Sequence, residues 1–130
     1  MSTDVIGNFL TIIRNGIMSS QLYVVAPHSK IKHSIAEILK HEGFIKDVVI
    51  EEADGKKQLK VFLKYVDGEC AIHEIKRMSK LSRRDYKGLA MIKPVIGGLG
   101  VSILTTNRGV ITNKQAREYG VGGEVICTVW

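Results

Sequence analysis

Gly98-Leu99-Gly100-Val101-Ser102-Ile103-Leu104-Thr105-Thr106-Asn107-Arg108-Gly109-Val110 begins as an apolar, β-branched run and ends in hydroxyls, an amide and one arginine. Thr112-Asn113-Lys114-Gln115 follows and reads as a helix start: Thr112 can cap the first turn and Gln115, three residues on, can cap back. A stiff strand leading to a capped helix holds Thr105, Thr106 and Asn107 out on a rigid corner. Short donors and acceptors on a fixed backbone suit a ligand read at close range. Folded RNA is such a ligand, because its shallow minor groove offers 2′-hydroxyls and base edges to small polar side chains. A plain strand-to-helix turn is the competing reading, since Thr and Asn are common in turns.

Charge separates the two readings. The chain has 130 residues and a net charge of +6. Residues 1–69 hold nine Lys/Arg against nine Asp/Glu, whereas residues 70–130 hold ten against four, so the second half carries all of the excess. Within it Lys76, Arg77, Lys80, Arg83, Arg84, Lys87 and Lys93 oppose only Asp85. A bland half joined to a strongly positive one is the footprint of a polyanionic partner. Arg83-Arg84-Asp85-Tyr86-Lys87 combines guanidinium forks, which grip phosphates bidentately, with a ring that can stack on a base or sugar. The long cations would supply affinity and the short polar groups discrimination. Gly122-Gly123-Glu124 adds a bare backbone patch beside an acid that can accept hydrogen bonds from base amino groups or 2′-hydroxyls, orient Arg108, or face water.

The totals bound the rest. Hydrophobic content of 45% allows a core, and aromatic content of 6% means aliphatic side chains must fill it. The longest apolar runs fall far short of the ~20 residues of a membrane-spanning helix, and Met1-Ser2-Thr3-Asp4 is no secretory signal. Cys70 and Cys127 are expected to be free, buried thiols in a reducing cytosol.

Along the first half, Ile6, Phe9, Leu10, Ile13 and Ile17 form one helical stripe, with Asp4 as cap and Asn15-Gly16 expected to fray the last turn. Tyr23 to Ala26 reads as a short strand stopped by Pro27. Ser29 caps a second helix with Ile31, Ile35, Ile38 and Leu39 inward, and Gly43 closes it at C′. Lys30 and Lys32 lie in its first turn, where the helix dipole disfavours cations. Phe44–Glu52 and the run around Leu59, Val61, Leu63 and Tyr65 are strands joined by a hairpin at Asp54-Gly55. Asp67-Gly68 is the expected boundary. Beyond it, Ile72–Met78 reads as a strand, Met91–Val95 as a second apolar piece, Asn113–Tyr119 as a short helix ended by Gly120, and Gly122 onward as a last strand with Trp130 packed.

The fold class is therefore α+β, as one ordinary domain or two small packed ones. Residues 1–67 are expected as α-β-α-β-β, and residues 68–130 as mostly β with one short helix.

No catalytic or metal constellation emerges. His28, His33, His41 and His73 lack metal-ligand spacing, and Cys70-x-x-His73 has no second pair. Gly97-Gly98-Leu99-Gly100 lacks the third glycine of a dinucleotide loop and the Gly-Lys-Ser/Thr of a P-loop. No cofactor is expected, and an enzyme reading has no positive feature behind it.

Ile13-Arg14-Asn15-Gly16, Pro27-x-Ser29-Lys30, Glu42-Gly43-Phe44-Ile45, Ile75-Lys76-Arg77-x-Ser79-Lys80, Arg83-Arg84-x-Tyr86, Gly98-Leu99-Gly100, Gly109-Val110 and Gly120-Val121-Gly122-Gly123-Glu124-Val125 occur in the order and spacing of a known family. Across essentially its whole length the sequence resembles the bacterial-type S8 family of small-subunit ribosomal proteins.

That resemblance implies two small α+β domains, and direct, early binding to the central domain of small-subunit ribosomal RNA, with a role in nucleating assembly. It implies neighbouring small-subunit proteins as partners, repression of translation through the messenger of the protein's own operon, and a cytoplasmic, ribosomal location in a bacterium or organelle for a protein monomeric when free. It maps the principal RNA surface onto Thr105, Thr106, Asn107, Gly122, Gly123 and Glu124, with Arg83, Arg84 and Tyr86 on the same face; Arg108, Lys76 and Lys80 are expected to bind RNA as well. Further contacts fall near Arg14, Asn15, Ser29 and Lys30. Two departures stand out: the family's Ser-Thr-Ser loop is Thr105-Thr106-Asn107 here, and Leu81-Ser82 replaces a common Pro-Gly. The alternative function is a general architectural nucleic-acid-binding module, which would bind duplex DNA and a bulged RNA helix alike.

Overall fold

A computed structural model describes residues 5–78, 86–88 and 98–130. The expected cap at Asp4, the cations Lys80, Arg83 and Arg84, and the apolar piece at Met91–Val95 lie outside the described residues. Cα proximity divides the chain into two compact units that meet between Ile72 and His73.

The first unit contains helix α1 (Val5–Met18), strand β1 (Tyr23–Pro27), helix α2 (Lys30–His41) and strands β2 (Ile45–Ala53), β3 (Lys56–Leu63), β4 (Tyr65–Val66) and β5 (Glu69–Cys70). Both helices pack on one three-stranded antiparallel sheet of order β1-β3-β2. The apolar stripes meet there: Phe9, Leu10 and Ile13 of α1 and Ile35, Ala36 and Leu39 of α2 are buried with Val24, Ala26, Val48, Leu59, Val61 and Leu63 of the strands. Asp54 and Gly55, both at positive φ, make the β2–β3 turn as expected from Asp-Gly. Ser29 caps α2 by accepting from Lys32 N at 3.3 Å. At the other end Gly43 takes φ +84, Phe44 N donates to Leu39 O, and Gly43 N to Lys40 O, a complete Schellman closure.

Three local expectations are corrected. Gly16 is not a fraying point. It is buried inside α1, and a Cβ there would collide with Val24 Cγ1 of β1, so glycine is what lets helix and strand approach. Lys32, a first-turn cation that the sequence offers to solvent or a phosphate, is buried, and burial pushes its pKa below the usual lysine range. The strand containing Leu63 stops there. Tyr65–Val66 instead pairs with Glu69–Cys70 in a small hairpin turned by Asp67 and Gly68, both at positive φ.

The second unit holds strands β6 (Ile75–Arg77), β7 (Tyr86–Lys87), β8 (Val101–Thr106) and β9 (Gly109–Thr112), helix α3 (Asn113–Tyr119) and strand β10 (Gly123–Val129). β10 is the axis of this sheet. One edge pairs with β8, which pairs in turn with β9; the other edge pairs with β6 near the C-terminal end of β10 and with β7 near its start. Leu104, Ile111, Ala116 and Val125 form the core beneath α3, with Met78 and Val121 against it. The pairing of β10 with β8 shifts between Val125 and Cys127, leaving Ile126 as a bulge. Its carbonyl accepts from Met78 N at 2.9 Å and Arg77 Nη1 at 3.3 Å.

The strand expected over Ile72–Met78 is only Ile75–Arg77. His73 and Glu74 turn their N–H groups to the Trp130 carbonyl, and the Trp130 ring stacks on His73 at 5.2 Å.

Candidate nucleic-acid interface

The corner expected to join strand to helix is built differently, as a hairpin. β8 reverses at Asn107-Arg108 into the four-residue strand β9, and β9 feeds α3 directly at Thr112. The alternation of Val110 and Ile111 is too short to register as a strand in the sequence. Gly109 takes φ +97 at the turn's exit, a conformation that a side chain would strain. The helix start is as read: Thr112 Oγ1 accepts from Gln115 N at 3.1 Å, and Gln115 Oε1 accepts from Thr112 N at 3.1 Å. Asn113 Oδ1 accepts from buried Ser102 N at 3.2 Å, tying that start to β8. Gly120, at φ +69, closes the helix, with Val121 N donating to Ala116 O.

Within the turn the three expected readers differ. The Thr106 hydroxyl donates to Gly109 O at 3.0 Å and accepts from Arg108 N at 3.0 Å, so it holds the hairpin closed. Thr105 is half-buried on β8, opposite Val110 on one side and Glu124 on the other. Asn107 is exposed at the tip. Arg108 is also exposed, with its guanidinium carbon 4.7 Å from the centroid of the Tyr119 ring.

The start of β10 brings the glycine–glutamate segment beside this turn. Glu124 pairs with Thr105 on one edge and with Tyr86 on the other, and Gly123 pairs with Lys87. The approach is tight on both sides. A Cβ at Gly123 would collide with the Thr105 carbonyl oxygen and lie 2.8 Å from Thr106 Cγ2; one at Gly122 would collide with the Lys87 carbonyl oxygen. Three strands thus converge at one end of the sheet: Thr105 and Thr106, then Gly123 and Glu124, then the backbone of Tyr86 and Lys87.

Lys76 is exposed on β6 opposite Thr128, toward the other end of β10. Arg14, Asn15, Ser29 and Lys30 belong to the first unit, where Arg14 and Asn15 are exposed late in α1 and Lys30 is exposed at the start of α2.

Two residues were not among those expected here. Lys87 was visible only as one member of the basic run. Tyr119 carries no local signal, because it meets Arg108 through the packing of α3 on the hairpin.

Among the described residues no group of three or more His, Cys, Asp or Glu could hold a metal ion, and no helix is long and apolar enough to cross a membrane. Cys127 is buried in β10, and burial pushes its thiol up to about 12.

Residues 4–130 match the family model described as Ribosomal protein S8. The small ribosomal subunit protein uS8 of Chlamydia pneumoniae is 44% identical over 131 aligned residues, covering 100% of this chain and 98% of the relative. The protein of the same name from Marinobacter nauticus is 48% identical, over 98% of this chain and 97% of its own. That of Acidobacterium capsulatum is 48% identical over 98% of each. The matched family is one of ribosomal proteins and not of enzymes. With an α+β architecture of two sheet-rich units and identity near one half along its whole length, the chain belongs to the ribosomal protein S8 family.

Proposed function

We propose that this protein is a structural component of the small ribosomal subunit that binds the central domain of its ribosomal RNA directly, as a monomer, in the bacterial cytoplasm. The observation that carries the reading is the convergence of Thr105, Gly123 and Glu124 at one sheet end, with Asn107 and Arg108 exposed on the adjoining turn. Small polar groups and bare backbone on a rigid β frame fit the shallow minor groove of an RNA helix. The excess positive charge of residues 70–130, Arg83 and Arg84 included, supplies phosphate contacts.

Residues 1–67 and 68–130 act as two domains in this reading, the first adding contacts through Arg14, Asn15, Ser29 and Lys30. Neighbouring small-subunit proteins are further partners. An RNA of the same shape in the protein's own operon messenger would occupy the same surface and repress translation.

The test is a binding titration of the full chain against a central-domain ribosomal RNA transcript, an unrelated duplex RNA and duplex DNA. Tight binding to the transcript alone is expected, with a log–log salt slope of about −4 to −5 if five or six cations meet phosphates. Equal affinity for all three would replace this reading with that of a general architectural module. Replacing Arg84 is expected to weaken every RNA alike and to reduce the slope by about one.

A further inference from the structure

Arg108 and Tyr119 form a unit that the RNA-binding reading does not require but that its geometry explains. Both are fixed from the backbone. Arg108 N is bonded to Thr106 Oγ1 in the turn, and Tyr119 is the last residue of a helix capped at Thr112 and closed at Gly120. Eleven residues apart in sequence, they meet because β9 carries the chain back and α3 packs over β8 and β9. The guanidinium carbon stands 4.7 Å from the ring centroid, within cation–π range, while both side chains remain exposed to solvent.

A guanidinium held against a ring keeps its N–H donors free for other acceptors, and those donors are what recognise a phosphate bidentately. Among the described residues no carbonyl or carboxylate accepts from the Arg108 side chain; the bond involving Arg108 is made by its backbone N–H. The ring therefore restrains the cation without consuming its hydrogen-bonding capacity. A long side chain pinned in this way loses less rotamer freedom on binding, which is the usual gain from preorganisation.

We propose that Tyr119 is a positioning residue: it holds the Arg108 guanidinium beside the Thr105–Asn107 turn so that the guanidinium grips a backbone phosphate of the bound RNA. This rests on the proposed RNA-binding reading. The partner chemistry is an RNA phosphate rather than a base edge, since a guanidinium at the rim of a minor-groove contact reaches the sugar–phosphate strand, and the deep major groove of RNA admits no side chain.

The experiment measures full-chain affinity for the central-domain transcript and for an unrelated duplex RNA, using wild type, Tyr119→Ala, Tyr119→Phe, Arg108→Ala, Arg108→Lys and the Arg108→Ala/Tyr119→Ala double variant. Melting curves of the free proteins are recorded alongside. Tyr119→Ala is expected to weaken both RNAs about two- to fivefold, the scale of an exposed cation–π contact. Tyr119→Phe should retain wild-type affinity, because the ring and not the hydroxyl restrains the arginine. Arg108→Lys should bind more weakly than wild type, and Tyr119→Ala should add no further loss on the Arg108→Ala background.

Additive losses in the double variant, or equal losses in the Phe and Ala variants, would overturn the positioning role. A loss confined to the transcript would overturn the phosphate assignment in favour of base reading. If wild type does not bind the transcript, the RNA-binding reading itself fails, a result distinct from wild-type binding that Tyr119→Ala leaves unchanged.

Discussion

Gly123 of β10, one residue before the partner of Thr105 on β8, lies so close to it that a Cβ on the first would strike the carbonyl oxygen of the second. Backbone paired with strands on both of its edges has little freedom to yield. Gly123→Ala is therefore expected to cost about 1–3 kcal/mol of stability, the usual range for overpacking. Chemical denaturation measures it. An unchanged midpoint would show that β8 and β10 can separate at this end without loss.

Thr106 combines two hydrogen bonds on one hydroxyl, to Gly109 O and from Arg108 N. Thr106→Ser keeps both and is expected to be near neutral in stability. Thr106→Val keeps the shape, loses both and should cost about 1 kcal/mol, since the exposed turn lets water compensate in part. In RNA binding, Thr106→Val is expected to weaken the transcript more than the unrelated duplex, by about 1–3 kcal/mol. Equal melting temperatures for the Ser and Val variants would refute the role of the hydroxyl in closing the turn.

Gly16 sits within α1, where alanine is intrinsically favoured by about 1 kcal/mol. The collision of a Cβ with Val24 Cγ1 opposes that preference, and valine, branched at Cβ, cannot swing aside easily. Gly16→Ala is expected to lower the melting temperature despite its better propensity. A rise would mean that helix and strand part readily.

Asp47 receives the Lys40 ammonium at 3.0 Å and Val48 N at 2.8 Å. The hydrogen bond from Lys40 is the main cause of a carboxyl pKa below the usual range. A lowered folded-state pKa stabilises above the ordinary carboxylate range and is lost as pH falls through the lowered value. The melting-temperature difference between wild type and Asp47→Asn should thus be present at neutral pH and vanish in acid. A difference that persists at low pH would point to shape rather than charge.

Cys70 is half-exposed on the short β4–β5 hairpin rather than buried as expected, whereas Cys127 is buried with its thiol pushed up to about 12. Thiolate is the reactive form, so a disulfide reagent at mild pH is expected to modify Cys70 rapidly and Cys127 only after denaturant is added. Rapid reaction at both positions in the native protein would show that β10 opens readily.

Reading the chain alone placed the elements governed by near neighbours. The Thr112–Gln115 capping box, the Ser29 cap, the Gly43 closure, the Asp54-Gly55 turn and the limits of α3 are each written within about six residues, and each appears in the structure where its residues predict it. Such features arise from backbone donors and acceptors that a side chain three or four positions away can reach. The two apolar stripes were legible for the same reason, although Ile6, Ile17, Ile31 and Ile38 are only half-buried while Gly16 and Lys32 are buried. Periodicity reports which face turns inward, not how closely the neighbouring element approaches.

What depends on distant segments came only from the tertiary structure. It set the four-residue β9, the bulge at Ile126, the pairing of Glu124 between Thr105 and Tyr86, and the stacking of Arg108 on Tyr119. It also showed that the Thr106 hydroxyl closes its own turn. Residue order alone places the positive charge along the chain. Which cation stands beside which strand follows from register, and register is set by packing between residues that sequence order keeps apart.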